Sequence, residues 1–192
     1  MKNILFICVI LLLPFLSISQ KNTGSRFIIG ERITLTHVYF WQGIFSPYFP
    51  HTFSHEGLMF MCAEQAFQYE KARFFRDTSA MRLILEETDP RDMKKWLKAD
   101  AIKGYGKEMW KQDHEYIVMR NIYAIIFTQN EILKQVLVLT TPRQMVYATP
   151  FYGTWSCGLF YDDLGIELRR NWKGENLLGL VLEEVRLIIL GY

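Results

Sequence analysis

The chain has 192 residues, half of them hydrophobic and 15% aromatic, which supports one compact domain with a sizeable core and excludes a disordered or low-complexity protein. Its formal charge of +2 comes from 22 basic and 20 acidic residues that are interspersed, so there is no clustered cationic face of the kind that tracks nucleic-acid phosphates. The cysteines are too few for a disulfide scaffold, and His37, His51, His55 and His114 are scattered, so spacing alone shows no metal site.

The first twenty residues, MKNILFICVILLLPFLSISQ, place Lys2 ahead of an apolar run from Ile4 to Leu16 and end on the small-x-small pattern Ser17-Ile18-Ser19. That is the layout of a secretory signal peptide. The run falls short of the roughly 20 residues needed to cross a bilayer. The sequence therefore predicts a leader over 1–20 and one domain over 21–192, in a secreted protein with no stable membrane association once the leader is cut. Only Cys62 and Cys157 would remain in the mature chain.

Beyond Gly30, ITLTHVYFW alternates as a strand does, and TFSHEGLMF reads as two short strands around a turn at Glu56-Gly57. From Cys62 onward, apolar residues recur at spacings of three and four, which predicts helices over 63–75, 78–87, 91–98, 107–128 and 131–139. Asp89-Pro90 and Thr141-Pro142 punctuate the series, and RQMVYATP is a further candidate strand. A loop rich in glycine and aromatics leads to a last helix, about 175–190, apolar nearly all round. The expected class is α+β: one predominantly helical domain with a small sheet from the N-terminal third.

Two groups of residues could carry chemistry. On the helix from Ala63, Glu64 shares a face with Phe67, Gln68, Lys71 and Phe75. The plain reading of Glu64 is a helix-start acid that complements the macrodipole. The sharper reading is a general base, held among aromatics that raise its pKa while the helix terminus lowers it. The second group is Trp110, Trp155 and Trp172, of which the last two lie in GTWSCGL and NWKGENLLG. Each tryptophan is either core packing or a stacking platform for a planar base. Asn176 reads as a helix cap and Gly179 as a close-packing position.

These pieces, in this order, resemble one family, the NADAR (YbiA-like) domain. The resemblance runs through FWQGIFSPYFP, HEGLMFMCAEQAFQYEKARFFRD, FTQNEILKQVLVLT, TWSCGL and WKGENLLGLVLEEVR. It implies a YbiA-like fold and an N-glycosidase that needs no cofactor and no metal. Substrates of such enzymes are riboflavin-pathway intermediates with a ribosyl-amine bond or, in some members, ADP-ribosylated guanine. Glu64 matches the family glutamate and would deprotonate the water that attacks the anomeric carbon, its charge also suiting an oxocarbenium-like transition state. Trp110 and Trp155 match the tryptophans of the catalytic pocket. By the same likeness Phe45, Ser46, Gln68, Lys71, Tyr152, Trp172, Gly174 and Asn176 would contact a nucleotide-like ligand such as ADP-ribose or a ribosylated base, with ADP-ribosylated nucleic acid a further partner.

The chain departs from the family pattern at several positions. Tyr152 stands where an aspartate is usual, Ser156 replaces a glycine, Ser46-Pro47 lacks a side-chain amide, and Ile126 replaces a lysine. No Leu-Gly-Arg motif occurs in KKWLKADAIKGYG. Three readings stay open: an N-glycosidase with Glu64 as base, a non-catalytic module that binds ADP-ribose or a nucleotide, and a structural protein whose pocket is filled by Tyr152 and Ile126. A replacement carboxylate at the pocket would favour the first, with Asp162, Asp163 and Glu175 as candidates. The resemblance also places Cys62 and Cys157 near one pocket, where they would either pair in an oxidising compartment or stay as buried thiols.

Overall fold

The computed structural model describes residues 30–192, so the expected leader over 1–20 lies outside the described residues. Two antiparallel pairs open the fold: β1 (Arg32–Ile33) with β2 (His37–Phe40), and β3 (Phe53–His55) with β4 (Leu58–Phe60). The alternating stretch from Ile33 to Trp41 is thus two strands and not one. Thr34 breaks it, because its hydroxyl accepts from the backbone N–H groups of Thr36 and His37 and turns the chain. The Glu56-Gly57 turn is a tight hairpin with φ of 49° and 79° at its two centres, the left-handed pair that matches strand twist.

The helical part begins with α1 (Ala63–Phe74) and α2 (Thr78–Glu86). Gln65 ties their ends together, accepting from Met61 N–H and donating to the Ile84 carbonyl. Asp77 caps α2 through Ala80 N–H. The predicted helix at 91–98 is a 3₁₀ stretch, Pro90–Leu97, whose buried Met93 and Trp96 are three residues apart and so align on a three-residue turn.

The long helix α3 (Gln112–Gln129) starts later than the periodicity predicted, since Gly106–Trp110 forms a turn closed by the Gly106 carbonyl. Asn130 ends α3 and caps α4 (Glu131–Leu139) through Leu133 N–H. Among the described residues no single helix is long and apolar enough to cross a membrane, and α3 and α4 meet at 112°.

The strand β5 (Gln144–Tyr147) pairs parallel with β2, giving the order β1-β2-β5. The larger sheet therefore draws one strand from far outside the N-terminal third. Helix α5 (Leu177–Leu190) packs on that strand, and a side chain at Gly179 would come within 2.1 Å of the Met145 carbonyl. Leu177, Leu178, Val181, Leu182 and Val185 are buried, but Leu187 and Ile188 in the last turn are about half exposed, so the helix is not covered all round.

Cys62 and Cys157 are free and buried in separate apolar clusters, Cys62 against Ala72, Ala80 and Ile84 and Cys157 against Tyr39, Val146 and Ile166. That overturns the pairing. Burial pushes the Cys62 thiol up to about 12 and raises that of Cys157.

Candidate active site

Glu64 sits in the first turn of α1, entered from Cys62 in an extended conformation, with its own N–H bonded to the Pro47 carbonyl at 2.8 Å. That bond joins the helix start to the loop after β2. It leaves the carboxylate at a cavity lined by Pro47, Tyr48, Glu64, Phe67, Leu97, Met119, Tyr147, Tyr152, Trp155 and Leu178. Glu64 is only 5% exposed.

Burial pushes the Glu64 carboxyl above the usual carboxylate range, opposed by a hydrogen bond from Gln68 and by the Lys71 charge, with Glu115 adding to the rise. Gln68, one turn on, donates to Glu64 Oε1 at 2.7 Å, while its own carbonyl oxygen is buried with no partner among the described residues. Lys71 donates to the Trp96 carbonyl at 3.4 Å and lies 5.3 Å over the Tyr105 ring. Its pKa is pulled down by burial and held up by Glu64 and Glu115. Each buried charge is thus made tolerable by the other.

The walls are aromatic. Phe67 meets the edges of Trp155 and Trp110 at 5.9 and 6.0 Å. Trp155 lines the cavity, but Trp110 does not: it is 1% exposed, backs Phe67, and packs against Phe74 and His114. Burial raises the Glu115 pKa, and Lys71 and the neighbouring indoles of Trp155 and Trp110 offset part of that rise, although Trp110 Nε1 has no hydrogen-bond partner among the described residues.

Opposite stand three tyrosines. Tyr152 has φ of 72°, a left-handed conformation costing a non-glycine residue on the order of 1–2 kcal/mol, and its ring stacks on Tyr147 at 5.9 Å. Its ring centre also lies 5.9 Å from that of Tyr48. Burial first, and then the Glu64 charge, raises the pKa of Tyr48, while for Tyr147 burial is followed by Tyr152 and then by Glu64. Tyr152 is raised mainly by burial, with Glu64 a smaller contribution.

The cavity is narrow. About 60 Å³ is open beside Glu64, against the roughly 300 Å³ or more usual for ligand sites. On the other side of Tyr48, Tyr147 and Tyr152, an open groove of 620 Å³ carries Trp41, Ser46, Phe151, Arg91 and Lys94. The tyrosines form a shared wall.

Of the residues singled out in the sequence, Glu64, Tyr152 and Trp155 line the cavity and Ser46 lines the groove. Gln68 and Lys71 support Glu64 from behind. Phe45 is fully buried and its carbonyl accepts from the Tyr123 hydroxyl, which makes it core. Trp172 is also remote, donating to the Ile166 carbonyl and packing near Cys157. A side chain at Gly174 would press within 2.4 Å of the Ser156 and Gly153 carbonyls, so that glycine lets two loop segments touch.

Asn176 makes no side-chain cap. Its amide instead bonds to β5, accepting from Tyr147 N–H and donating to the Met145 carbonyl at 2.8 Å each, as a neighbouring strand would.

None of the three proposed replacement carboxylates reaches the cavity. Glu175 is exposed and accepts from Gln112, Asp162 is exposed, and Asp163 accepts from Phe160 N–H within its own loop. Glu115 is the carboxylate that couples to Glu64 and Lys71, and as an acid in a helix's first turn it looked like any macrodipole partner. Tyr48, in the loop SPYFP, gave no signal separating it from core aromatics. Ile126 is core and lies away from the cavity, so it does not fill it.

Away from this site, His55, Glu56 and Glu70 bring three potential ligand atoms within 4.8 Å, a cluster that spacing did not show. Arg73 already pairs with both of its carboxylates.

Comparison with known proteins identifies the family and the fold. The NADAR domain matches residues 36–190. Protein irg-1 of Caenorhabditis elegans is 30% identical over 178 residues, covering 84% of each chain. N-glycosidase R617 of Acanthamoeba polyphaga mimivirus is 27% identical over 148 residues, 74% of this chain and 85% of that protein. The NMR structure of the E. coli protein YbiA superposes with a TM-score of 0.65 at 22% identity, over 86% of this chain and 91% of that one, and so shares its α+β fold. With the match spanning every element from β2 to α5, the chain belongs to the NADAR domain family, which has among its relatives a protein named as an N-glycosidase.

Proposed function

We propose that this protein hydrolyses the N-glycosidic bond of a ribosylated or ADP-ribosylated base, with Glu64 activating water. The observation that carries the reading is Glu64 itself: a carboxylate at a cavity wall, buried enough to be a stronger base than one in water, and kept ionisable by Gln68 and Lys71. A helix-start acid serving only the macrodipole has no reason to face a cavity walled by Phe67, Trp155 and three tyrosines. In the reaction Glu64 takes a proton from water, the water oxygen bonds to the anomeric carbon as the C–N bond breaks, and the C–N electron pair leaves with the base, which takes up the proton that Glu64 returns through solvent; the negative cavity wall favours the positive charge that builds on the sugar ring.

The second reading is a module that binds such a ligand without cleaving it. The contrast between the narrow space beside Glu64 and the open groove favours it, since a ligand can lie in the groove while its sugar reaches Glu64 only if a wall moves. Incubating the chain from residue 21 onward with ribosylated and ADP-ribosylated bases, and measuring free base by chromatography, separates the two: release that is lost in Glu64→Gln supports hydrolysis, and binding without release supports the module. In the secreted setting that the leader implies, such a ligand would be met outside the cytosol.

A further inference from the structure

Neighbouring residues along an extended chain face opposite sides, so His55 and Glu56 would share no partner in a continuous strand. The tight turn changes that. With φ of 49°, Glu56 takes the left-handed conformation at the hairpin tip, and its carboxylate comes back beside the His55 ring. Helix α1 supplies a third member, Glu70, and one ligand atom from each of the three lies within 4.8 Å of the others.

Glu70 is the informative member. Arg73, three residues further along α1, bonds to Glu70 Oε2 at 2.6 Å and also pairs with Oε2 of Glu56. That holds both carboxylates in place and leaves Glu70 Oε1 buried with no hydrogen-bond partner among the described residues. His55 Nε2 lies 3.5 Å from that oxygen, without forming a hydrogen bond to it. A buried carboxylate oxygen with no donor is costly, and 3.5 Å is too long for the imidazole to repair it well. The spacing does suit a shared ion: two donors on one tetrahedral centre, with bonds of about 2.0–2.2 Å, stand roughly 3.3–3.6 Å apart.

The donor set narrows the ion. One imidazole and two carboxylates suit a borderline ion such as Zn²⁺, whereas Mg²⁺ and Ca²⁺ take oxygen ligands alone. Arg73 offsets part of the carboxylate charge while orienting both groups, as the hydrogen-bonded partners of metal-bound carboxylates do. There is also a way in. The cluster lines an open cavity of 480 Å³ between the β3–β4 hairpin, α1 and α3, to which α3 contributes His114 and Asn121. Three protein donors leave a fourth position for water from that cavity.

We propose that His55, Glu56 and Glu70 form a binding site for a divalent transition-metal ion of the Zn²⁺ class, which clips the β3–β4 hairpin to α1. The site shares no lining residue with the Glu64 cavity, and the inference does not depend on the N-glycosidase reading. Because Glu64 and Glu70 belong to one helix, the ion would steady the element that carries the candidate base.

The test is titration of the chelator-stripped protein with Zn²⁺ and Co²⁺. One ion per chain should bind, Co²⁺ should give the visible absorption of a four-coordinate site, and Zn²⁺ should raise the unfolding temperature. His55→Asn and Glu70→Gln should each weaken Zn²⁺ binding by roughly tenfold or more and remove that rise. His114→Asn, in the same cavity, should change neither. In the unsubstituted protein, a long-range proton–nitrogen correlation spectrum should show Zn²⁺ shifting His55 Nε2 and no other ring nitrogen, a readout that needs no variant to fold. Failure of both ions to bind would make the cluster an ion-pair network and overturn the proposal. Binding that survives both substitutions, or a shift at His114 in place of His55, overturns it equally. Each of those outcomes leaves base release, and with it the N-glycosidase reading, untouched.

Discussion

Gln68 lies one helical turn beyond Glu64, and its amide donates to the Glu64 carboxylate at 2.7 Å, so one helix supplies both the buried charge and the group that moderates it. Gln68→Met removes the bond while keeping the volume. Because that bond lowers the Glu64 pKa, its loss should raise it further. Activity requires the carboxylate, so kcat/KM should rise with pH through a value already above the usual carboxylate range, and this limb should move to higher pH in the variant. A pH–rate profile measures it. The stability sign runs the other way: a folded-state pKa raised by burial contributes stability below the usual carboxylate range that is lost as pH rises through the raised value.

Glu64→Gln should keep the fold and ligand affinity and lower turnover by about two orders of magnitude or more. Single-turnover kinetics with a calorimetric Kd reads both. A variant that fails to bind would instead make Glu64 part of the recognition surface.

The two tryptophans beside Phe67 should separate cleanly. Trp155, at the cavity wall, should lose roughly 1–3 kcal/mol of ligand binding on change to alanine and keep most of it on change to phenylalanine. Trp110 lies behind that wall, so Trp110→Ala should cost about 3–5 kcal/mol of stability, read by urea unfolding.

Asn176→Ala removes both bonds to β5 and strands the Tyr147 N–H and the Met145 carbonyl in the interior, an expected loss of about 2–4 kcal/mol. Denaturant midpoints measure it. Since Tyr147 lines the cavity, ligand affinity should weaken as well.

The thiols of Cys62 and Cys157 should resist a disulfide-exchange reagent in the native protein near neutral pH and react only on unfolding, because burial raises both pKa values and covers both sulfurs.

What was legible in the sequence was local. The Glu56-Gly57 turn declares itself through the residues that tolerate a left-handed backbone, and α1 through its spacing. The Ile33–Trp41 stretch misled because strand alternation continues through Thr34, whose hydroxyl turns the chain without altering the pattern. Glu64 could be picked out as an acid among apolar neighbours. Glu115, Tyr48 and Tyr147 could not, since their roles come from contacts between segments far apart in sequence. Asn176 shows the limit most plainly: its position named a cap, and its amide does the work of a strand.

The pairing of β5 with β2 joins residues roughly one hundred positions apart, His37 with Gln144 through Phe40 with Tyr147. The β3–β4 hairpin and the α1–α2 pair need only local contacts, so they can form before that long closure, whose entropy must be met before the pairing rewards it. The order of assembly thus leaves the cavity until late, because Glu64 is in place with the early helix while Tyr147 arrives with the last strand. Substitutions in β5 should slow folding and leave unfolding little changed if that closure is the barrier, and a nascent chain would acquire its tyrosine wall only after most of the domain has emerged.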